Sequence, residues 1–460
     1  MQGIGGRDTL VGAAETAIIV RIDSASGFGD DFIMASTTAA VPPIASKRWK
    51  AVTAASIGNA LEWFDFVIYG FFAAAIGKLF FPSSSEVESL LVAFATFGIT
   101  FFVRPLGAIL LGVFADRHGR KAALTLSISL MMLGTGIIAV APTYSAIGFL
   151  APVVIVVARF LQGISAGGEF GSATAFLAEQ DPKRRGFFAS WQFASQGLTT
   201  VLAALFGAVL ASALTSEQMN TWGWRIPFIF GLLIGPVALY LRRRVDETEE
   251  FRSMQHSKTP LQEALSGAKQ RMLVALALVV LCTVVTYTTL FMPGFAARQL
   301  GLSQAEGFVA TLLAGGIQIL LVPIFGALSD TRGRLPIMFA AALAVLLLAY
   351  PMFAWLVSTP TLLTLLIVQA VIAVLAAAYL GPLPALMSEM FPTRLRTTGL
   401  SVSYSFGVAI FGGFAPFINA WLVEMTGSKV APSFYLMIAA AISLLGLLAQ
   451  RRLGFNGVAR

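Results

Sequence analysis

The chain has 460 residues, of which 57% are hydrophobic. Only 12% are charged, about half the roughly 25% of soluble domains, and the mean hydropathy is +0.81. A soluble globule cannot hide that much apolar side chain from water, so lipid must be the solvent for much of the chain. An ordinary soluble enzyme, a disordered protein and a coiled coil are therefore excluded.

Cysteine and histidine narrow the chemistry further. Cys282 is the single cysteine, and the two histidines, His118 and His256, fall in polar loops. A His/Cys metal site, a Ser-His-Asp triad, haem ligation by two histidines and an iron–sulfur cluster all lack their raw material. We therefore expect no metal and no cofactor, with a proton as the coupling ion of any transport.

Twelve apolar runs are long enough to cross a bilayer, which takes about 20 residues. We number them spans 1 to 12 in chain order. They lie at 52–80, 90–114, 122–141, 148–178, 187–213, 224–241, 272–297, 306–329, 337–357, 361–388, 399–425 and 431–450. The sequence thus predicts an all-α membrane protein with twelve transmembrane helices.

The remaining segments divide the chain into bundles and polar connections. The N-terminal stretch is rich in Gly, Ala, Ser, Thr and Asp without a sustained apolar run, so we expect a disordered tail, in which Met34 is an alternative start. The predicted tail, first bundle, linker, second bundle and C-terminal tail cover 1–45, 46–241, 242–271, 272–452 and 453–460.

Basic residues are concentrated on one side of the predicted spans. Most Lys and Arg lie in the N-terminal tail, after even-numbered spans or at the C-terminus, as Lys47, Arg184 and Arg451 illustrate. Because basic loops stay in the cytoplasm, both termini are predicted to be cytoplasmic. The net charge of +8 then needs no nucleic acid to explain it.

Two loop motifs occur twice at constant spacing. The first motif comprises Gly112, Asp116, Gly119 and Arg120, and returns as Gly326, Asp330, Gly333 and Arg334. The second comprises Glu179, Pro182 and Arg184, and returns as Glu389, Pro392 and Arg394. All four copies follow even-numbered spans. Two six-helix halves in parallel orientation are the simplest account, with a substrate site between them near the bilayer midplane.

Several motifs resemble those of the major facilitator superfamily, and of its metabolite:proton symporter branch in particular. They lie at 56–66, 102–107, 112–121, 159–169 and 222–228. The branch includes carriers for citrate, 2-oxoglutarate, shikimate, proline and betaine. This resemblance covers about residue 46 to the C-terminus and implies substrate–proton symport by alternating access in a bacterial inner membrane. One departure is Thr331, where the second copy of the loop motif often carries a basic residue.

Acidic residues inside the spans are candidates for proton coupling. Glu62 and Asp65 lie about one turn apart in span 1, and Glu169 lies in span 4. Carboxylates inside a bilayer are costly and normally mark an ion path or a buried pair. We expect Glu62 or Asp65 to take part in coupling, the alternative being an ion pair with Arg104 or Arg159. Glu169 is either a further proton site or a gate partner.

Two arginines lie inside predicted spans and are candidates for substrate binding. Arg104 precedes Pro105 in span 2, and Arg159 lies one turn from Gln162 in span 4. A buried Arg must face the protein interior and find an anion, and its planar fork matches a carboxylate. We expect both arginines and Gln162 to bind a substrate carboxylate, with the acids of span 1 competing for the same guanidinium groups.

Neutral donors would complete this site, namely Gln192, Gln196, Tyr287 and Tyr404. The motif at 190–196 resembles citrate and tricarballylate carriers, whereas the residues at 419–432 resemble proline and betaine carriers. We weight the first half more, because it holds both intramembrane arginines. The sequence predicts a monomeric transporter that imports a small, anionic, citrate-like tricarboxylate or dicarboxylate by proton symport. The alternative is a proton-coupled osmolyte symporter for proline or betaine.

The repeated loop motif is a predicted gate. A tight Gly turn between two helices leaves an Asp and an Arg free to pair with a neighbouring helix end and to hold one access state closed. The alternative, simple anchoring by positive charge, explains the arginines but not the paired aspartates. A membrane enzyme would need a nucleophile, a metal cluster or a nucleotide motif, and a receptor would need a signalling domain; neither is evident in the sequence.

Overall fold

In the computed structural model, the described residues are 43–118, 120–167, 169–243 and 267–455. Each predicted span is helical there. Nine helices in this part of the chain are long and apolar enough to cross a membrane, and a bent pair in span 1 makes a tenth. The shorter apolar segments Thr125–Val140 and Gly223–Leu233 correspond to spans 3 and 6. The prediction of twelve helical spans is confirmed, while most of the predicted N-terminal tail and linker lies outside the described residues.

The first half consists of six spans. Its helices are Pro43–Phe71 and Ala73–Phe80 in span 1, Glu86–His118 in span 2, Arg120–Val140 in span 3, Leu150–Ser165 and Glu169–Glu179 in span 4, Arg185–Ala213 in span 5, and Ile226–Arg243 in span 6. Two short helices, Tyr144–Ile147 and Ser216–Thr221, and the 3-10 turn Gly223–Arg225 connect them.

The second half repeats this plan. Its helices are Lys269–Gln299 in span 7, Gln304–Arg332 in span 8, Arg334–Ser358 in span 9, Leu362–Leu380 and Leu383–Met390 in span 10, Thr393–Gly407 and Ala415–Thr426 in span 11, and Ala431–Leu453 in span 12. We call the side of the molecule that carries 180–184, 332–334 and 391–392 the loop-motif side.

Local chemistry accounts for where several helices begin. Thr215 and Ser303 each accept a hydrogen bond from the backbone three residues on, while Gln218 and Glu306 bond back to the cap residue. Such a capping box satisfies two backbone N–H groups that the helix itself leaves unpaired. Between spans 8 and 9, Gly333 has a φ of 88°, which favours Gly because other side chains rarely adopt it.

Four spans that read as continuous apolar runs are broken in the structure. Span 1 bends by 63° after Phe71. Span 4 is interrupted around Gly167, where an added Cβ would collide with the backbone carbonyl of Arg104. Span 10 breaks at Gly381, and span 11 contains a π-helical turn at Val408–Gly412. The break in span 4 therefore lies where the backbones of spans 2 and 4 touch.

The two halves meet along spans 5 and 8, spans 2 and 11, and spans 4 and 11. Close approach depends on glycine, because a Cβ on Gly326 of span 8 would lie 2.5 Å from the carbonyl oxygen of Gly186 in span 5. Both halves belong to one compact unit, Ile44–Arg460. The region enclosed between them is where the candidate site is found.

Candidate functional site

A chain of hydrogen bonds joins Asp65 to Arg159 through two neutral side chains. The Thr135 hydroxyl donates to Asp65 Oδ2, and Gln162 Nε2 donates to Thr135 Oγ1 at 2.9 Å. Arg159 Nη1 in turn donates to Gln162 Oε1 at 2.8 Å. All four side chains are buried, with Arg159, Gln162 and Thr135 each 0% exposed. The carboxylate and the guanidinium are thus linked without touching, and spans 1, 3 and 4 are tied together.

The edge of Arg159 that faces away from Gln162 has no partner. Nε and Nη2 are both buried, and neither forms a hydrogen bond with any described residue. These two nitrogens form the edge of a guanidinium that binds a carboxylate side-on through two parallel bonds. A buried donor left unsatisfied costs about 1–3 kcal/mol, more if charged. Two parallel donors are therefore available at this edge.

Aromatic rings hold the Arg159 guanidinium in place and lead across to the second half. Its Cζ lies 3.4 Å from the centroid of the Tyr69 ring and 6.0 Å from that of Phe97. Phe97 packs on Tyr287 of span 7 at 5.7 Å between centroids. The Tyr287 hydroxyl is buried and has no hydrogen-bond partner among the described residues. Tyr287 therefore places an available donor on the far side of this aromatic wall.

Arg104 occupies an aromatic box. Its Cζ lies 4.9 Å from the Trp63 centroid, 5.4 Å from Phe66 and 5.1 Å from Phe101. The side chain is buried, and its Nε forms no hydrogen bond with any described residue. Phe97 and Phe101 lie on successive turns of span 2, so their rings form one aromatic wall. Arg159 lies near the first ring of this wall and Arg104 near the second. The alternative, in which an acid of span 1 forms a direct ion pair with Arg104 or Arg159, is not met by Asp65.

The other predicted ligands differ in how far they are already engaged. Gln192 donates to Asn59 Oδ1 at 3.1 Å, while Asn59 donates to Ser195 Oγ at 2.7 Å, so this group joins spans 1 and 5. Gln196 Nε2 is buried without a partner among the described residues. Tyr404 of span 11 stacks on Phe170 of span 4, with centroids 3.4 Å apart. Gln196 therefore has a donor available, whereas Gln192 has committed its amide nitrogen to a helix contact.

The remaining acids near the site are only partly described. Glu62 lies one turn before Asp65 in the same helix and is half-buried. Glu169 begins the second helix of span 4, and its side chain lies outside the described residues. In the described part of the chain no cluster of three or more His, Cys, Asp or Glu side chains could hold a metal ion. The hydrogen-bond chain through Thr135 and Gln162 connects Asp65 to Arg159.

The second copy of the loop motif ties the two halves together on the loop-motif side. Asp330 accepts hydrogen bonds from the backbone N–H of Gly186 at 2.8 Å and of Phe187 at 3.0 Å, at the start of span 5. Arg334 bonds Asp330 at 2.7 Å and Glu389 at 3.0 Å. An acid at a helix N-terminus is favourably placed against the helix dipole. The predicted contact of Asp330 with a neighbouring helix end is observed; Gly119 and the side chains of Asp116 and Arg120 lie outside the described residues.

A buried ion pair adds a second connection between the halves. Arg396 Nη1 of span 11 lies 3.1 Å from Glu179 Oε1 of span 4, with side chains 3% and 9% exposed. On the opposite side of the site, the rings of Phe71 and Phe308 pack at 5.3 Å between centroids. The halves therefore touch on both sides of Arg159, which encloses the site between them.

Two features of the site were not predicted from the sequence. Thr135 of span 3 is the central member of the hydrogen-bond chain, and Trp63, Phe66 and Phe101 surround Arg104. Threonine is common as a contact between membrane helices, so its presence in span 3 carries no signal of its own. The spacing of Trp63 and Phe66 around Asp65 was the available hint, because it puts aromatic rings on the helix that also carries the acid.

Comparison with known proteins adds independent findings. The family model described as Major Facilitator Superfamily matches residues 55–317, and that described as Sugar (and other) transporter matches residues 241–449. A citrate-proton symporter of Klebsiella pneumoniae is 38% identical over 89% of this chain and 94% of its own length. A proline/betaine transporter of Escherichia coli strain K12 is 34% identical over 87% of this chain and 82% of its own length.

A solved structure is similar over most of the chain. The crystal structure of a D-xylose-proton symporter superposes with a TM-score of 0.68 and covers 87% of this chain and 96% of the symporter. The sequences are only 18% identical, so the likeness concerns the fold alone. It agrees with the two six-helix halves that the repeated loop motifs predict.

Proposed function

Since the chain belongs to the major facilitator superfamily of membrane transporters, we propose that it imports a small organic acid with two or three carboxylates together with protons. The proposal extends to this chain the activity that gives its citrate-proton symporter relatives their name. Import proceeds by alternating access, in which the two halves expose the enclosed site first to one side and then to the other.

The observation that carries the proposal is the unused edge of Arg159. A carboxylate that leaves water loses hydration worth several kcal/mol, and a cation with matching donors must replace it. Nε and Nη2 offer two parallel donors, while Nη1 is held by Gln162 and the flat face by Tyr69. The guanidinium is thus fixed in orientation before the substrate arrives, which reduces the ordering cost of binding.

Arg104 supplies a second cation for a second carboxylate. Arg104 lies near the ring of Phe101 and Arg159 near that of Phe97, and these two rings are one turn apart in span 2. The Nε of Arg104 is buried without a hydrogen-bond partner among the described residues. Gln196, Tyr287 and Tyr404 add neutral donors at the boundary with the second half. A substrate that carries two or three carboxylates would engage both arginines, whereas a monocarboxylate would leave one of them unpaired.

An osmolyte such as betaine fits this arrangement less well. A quaternary ammonium group is recognised by an aromatic box. Here the box of Trp63, Phe66 and Phe101 is already filled by Arg104. The guanidinium of Arg104 would repel the ammonium group of a zwitterion there. Because proline/betaine transporters are also relatives, the experiment below includes betaine and proline as competitors.

Asp65 is the proposed proton site. Its side chain is buried, with 5% exposed, and it is linked to Arg159 by the hydrogen-bond chain. Its Oδ1 has no hydrogen-bond partner among the described residues. A protonated carboxyl and a carboxylate differ by a full charge, so the protonation state of Asp65 changes how strongly Arg159 attracts an anion. Coupling then follows, because each ligand changes the affinity for the other by the same factor.

The loop-motif side is proposed to be cytoplasmic, with both termini on that side and the protein in a bacterial inner membrane. The contacts of Asp330 with span 5 and of Arg396 with Glu179 would hold the cytoplasmic side closed and break in the inward-facing state. Glu62 and Glu169 remain proposed participants in coupling, and Asp116, Gly119 and Arg120 remain a proposed second gate. A monomer contains every element of this scheme.

Uptake by proteoliposomes with an imposed proton gradient tests the proposal. Labelled citrate is the substrate, and unlabelled citrate, 2-oxoglutarate, shikimate, betaine and proline are the competitors. We expect accumulation that requires the gradient, with citrate or another multiply charged acid competing best. Competition by betaine or proline alone would establish the osmolyte alternative, and accumulation that ignores the proton gradient would overturn proton symport.

A further inference from the structure

We infer that the hydroxyl group of Thr135 is the relay that couples the protonation of Asp65 to the substrate-binding edge of Arg159. The inference rests on the proposed function, since it takes Asp65 as the proton site and Arg159 as the carboxylate site. Thr135 is fully buried and is joined to Arg159 through Gln162, so it acts as a positioning residue.

The direction of the hydrogen bonds is fixed from Arg159 through Gln162 to Thr135. Arg159 has no acceptor, so Gln162 must present Oε1 to it and Nε2 to Thr135. With its oxygen accepting from Gln162, the Thr135 hydroxyl is free to donate to Asp65. Every donor therefore points from the cation towards the anion. Bonds aligned in this way polarise and strengthen one another in a low-dielectric interior.

Thr135 also has a second acceptor within reach. Its Oγ1 lies 3.0 Å from the backbone carbonyl of Met131, one turn earlier in span 3. A hydroxyl has one proton and can donate to only one of these two oxygens at a time. The Thr135 hydroxyl can therefore switch its proton between Asp65 and Met131, while the donors and acceptors from Arg159 to Thr135 stay as they are.

Protonation of Asp65 decides that choice. When a hydronium ion gives a proton to Oδ2 of the carboxylate, the new O–H donates to Thr135 Oγ1, and the Thr135 proton turns to the Met131 carbonyl. The bond that breaks is the O–H of the hydronium ion, which leaves as water, and within the protein only the new O–H bond forms. The reversal removes both the negative charge and the alignment at the far end of the chain. Less of the Arg159 charge is then neutralised, and its free edge binds a carboxylate more tightly.

The groups around Asp65 show that the path through Thr135 is the one that links its carboxyl to Arg159. The charged groups that act on Asp65 are Arg159 from span 4 and Glu62 from its own helix. Tyr69, also on span 1, carries the nearest phenol beside Arg159. From span 6, the group packed against Asp65 Oδ1 is the backbone of Gly231, which carries no side chain. Only the Thr135 side of the carboxyl is joined by hydrogen bonds to the arginine in the described part of the chain.

The second half offers a matched control. Thr311 of span 8 is also 0% exposed, bonds the carbonyl of Gly307 one turn earlier at 3.0 Å, and accepts from Gln369 Nε2 at 3.3 Å. It repeats the Thr–Gln contact of the site, but the described residues place no carboxylate on it. Replacing Thr311 by Val removes the same hydroxyl from the same kind of helix contact without touching a proton site.

The experiment compares Thr135→Val, Thr135→Ser, Thr311→Val and Asp65→Asn in the full chain. Citrate affinity is measured by calorimetry at acidic and alkaline pH, and proteoliposomes report proton-driven accumulation and citrate counterflow separately. We expect Thr135→Val to retain counterflow, to lose most of the pH dependence of affinity, and to reduce proton-driven accumulation about tenfold or more, as for a lost bond to a charged group. Thr135→Ser and Thr311→Val should both behave as the unmodified protein does.

Each other result points to a specific failure. A Thr135→Val variant with unchanged pH dependence and accumulation would overturn the relay and leave Asp65 as the proton site. Equal loss in Thr135→Ser and Thr135→Val would also overturn it, because the hydroxyl would then not be what matters. If Asp65→Asn itself retains full coupling, the proposed proton site is wrong and the relay falls with it.

Discussion

Arg159 lies over the ring of Tyr69, with the guanidinium carbon 3.4 Å from the centroid of the ring. This contact covers one face of the cation, while Gln162 holds one nitrogen and the Nε–Nη2 edge remains free. The arginine is therefore oriented by neutral groups and keeps its charge for a ligand.

Replacing Arg159 should weaken binding of the acid strongly. In Arg159→Gln two charge-assisted hydrogen bonds are lost, each worth about 1.5–3 kcal/mol, so citrate affinity measured by calorimetry should fall at least about a hundredfold. Arg159→Lys should recover only part of this, because an ammonium cannot reproduce the two parallel donors. Arg452→Gln, at an exposed position of span 12, is the control. Near-normal affinity in Arg159→Gln would mean that the acid binds elsewhere.

The ring of Tyr69 should matter more than its hydroxyl. Tyr69→Phe keeps the surface on which Arg159 stacks, so citrate affinity should change little. Tyr69→Leu removes the cation–π contact, which is worth about 2 kcal/mol when desolvated, and should weaken binding about thirtyfold. Calorimetry on both variants distinguishes these effects. A larger loss in Tyr69→Phe than in Tyr69→Leu would show that the phenol, and not the ring, serves the site.

A methyl group on Gly326 should prevent full closure of the loop-motif side. The new Cβ of Gly326→Ala would lie 2.5 Å from the Gly186 carbonyl oxygen and 2.6 Å from Ser190 Cβ, so spans 5 and 8 must separate. Spin labels at Lys183 and Arg332, both exposed and in opposite halves, should report longer distances. Gly316→Ala lies on the same helix with nothing within 4 Å of the added atom, and should leave the distances unchanged. Unchanged distances in Gly326→Ala would refute the tight contact.

Glu179 and Arg396 should show strong energetic coupling. Removing one member of a buried ion pair takes a compensating charge away from the other and costs up to about 3–5 kcal/mol. Glu179→Gln and Arg396→Gln should each lower the apparent unfolding temperature in detergent, and the double variant should recover much of that loss. Simple additivity of the two single effects would contradict a direct interaction between these side chains.

Much of the fold follows from the sequence. A segment in lipid must form all its backbone hydrogen bonds internally, so each spanning helix is recognisable as a long apolar run. The pairing of Arg159 with Gln162 was predictable for a similar reason, since residues three apart share a helix face. The bend after Phe71 was not predictable, because Gly70 beside it is one of many glycines in the spans, and membrane helices tolerate glycine.

Contacts between distant spans were the main limit of sequence reasoning. Thr135 and Gln162 lie on different spans, and which face of span 3 meets span 4 depends on packing that no local pattern encodes. The aromatic box around Arg104 is of the same kind, because Trp63 and Phe66 belong to span 1 and Arg104 to span 2. Burial of an arginine predicted an anion as its partner; the structure gives it aromatic faces instead.

The most direct test of coupling measures proton entry and citrate entry in the same proteoliposomes, for the unmodified protein and for Asp65→Asn. We predict that citrate entry carries protons with it in the unmodified protein. In Asp65→Asn, citrate counterflow should persist, while proton entry and uphill accumulation should be lost. Proton entry that still accompanies citrate in Asp65→Asn, or citrate entry without protons in the unmodified protein, would contradict the account.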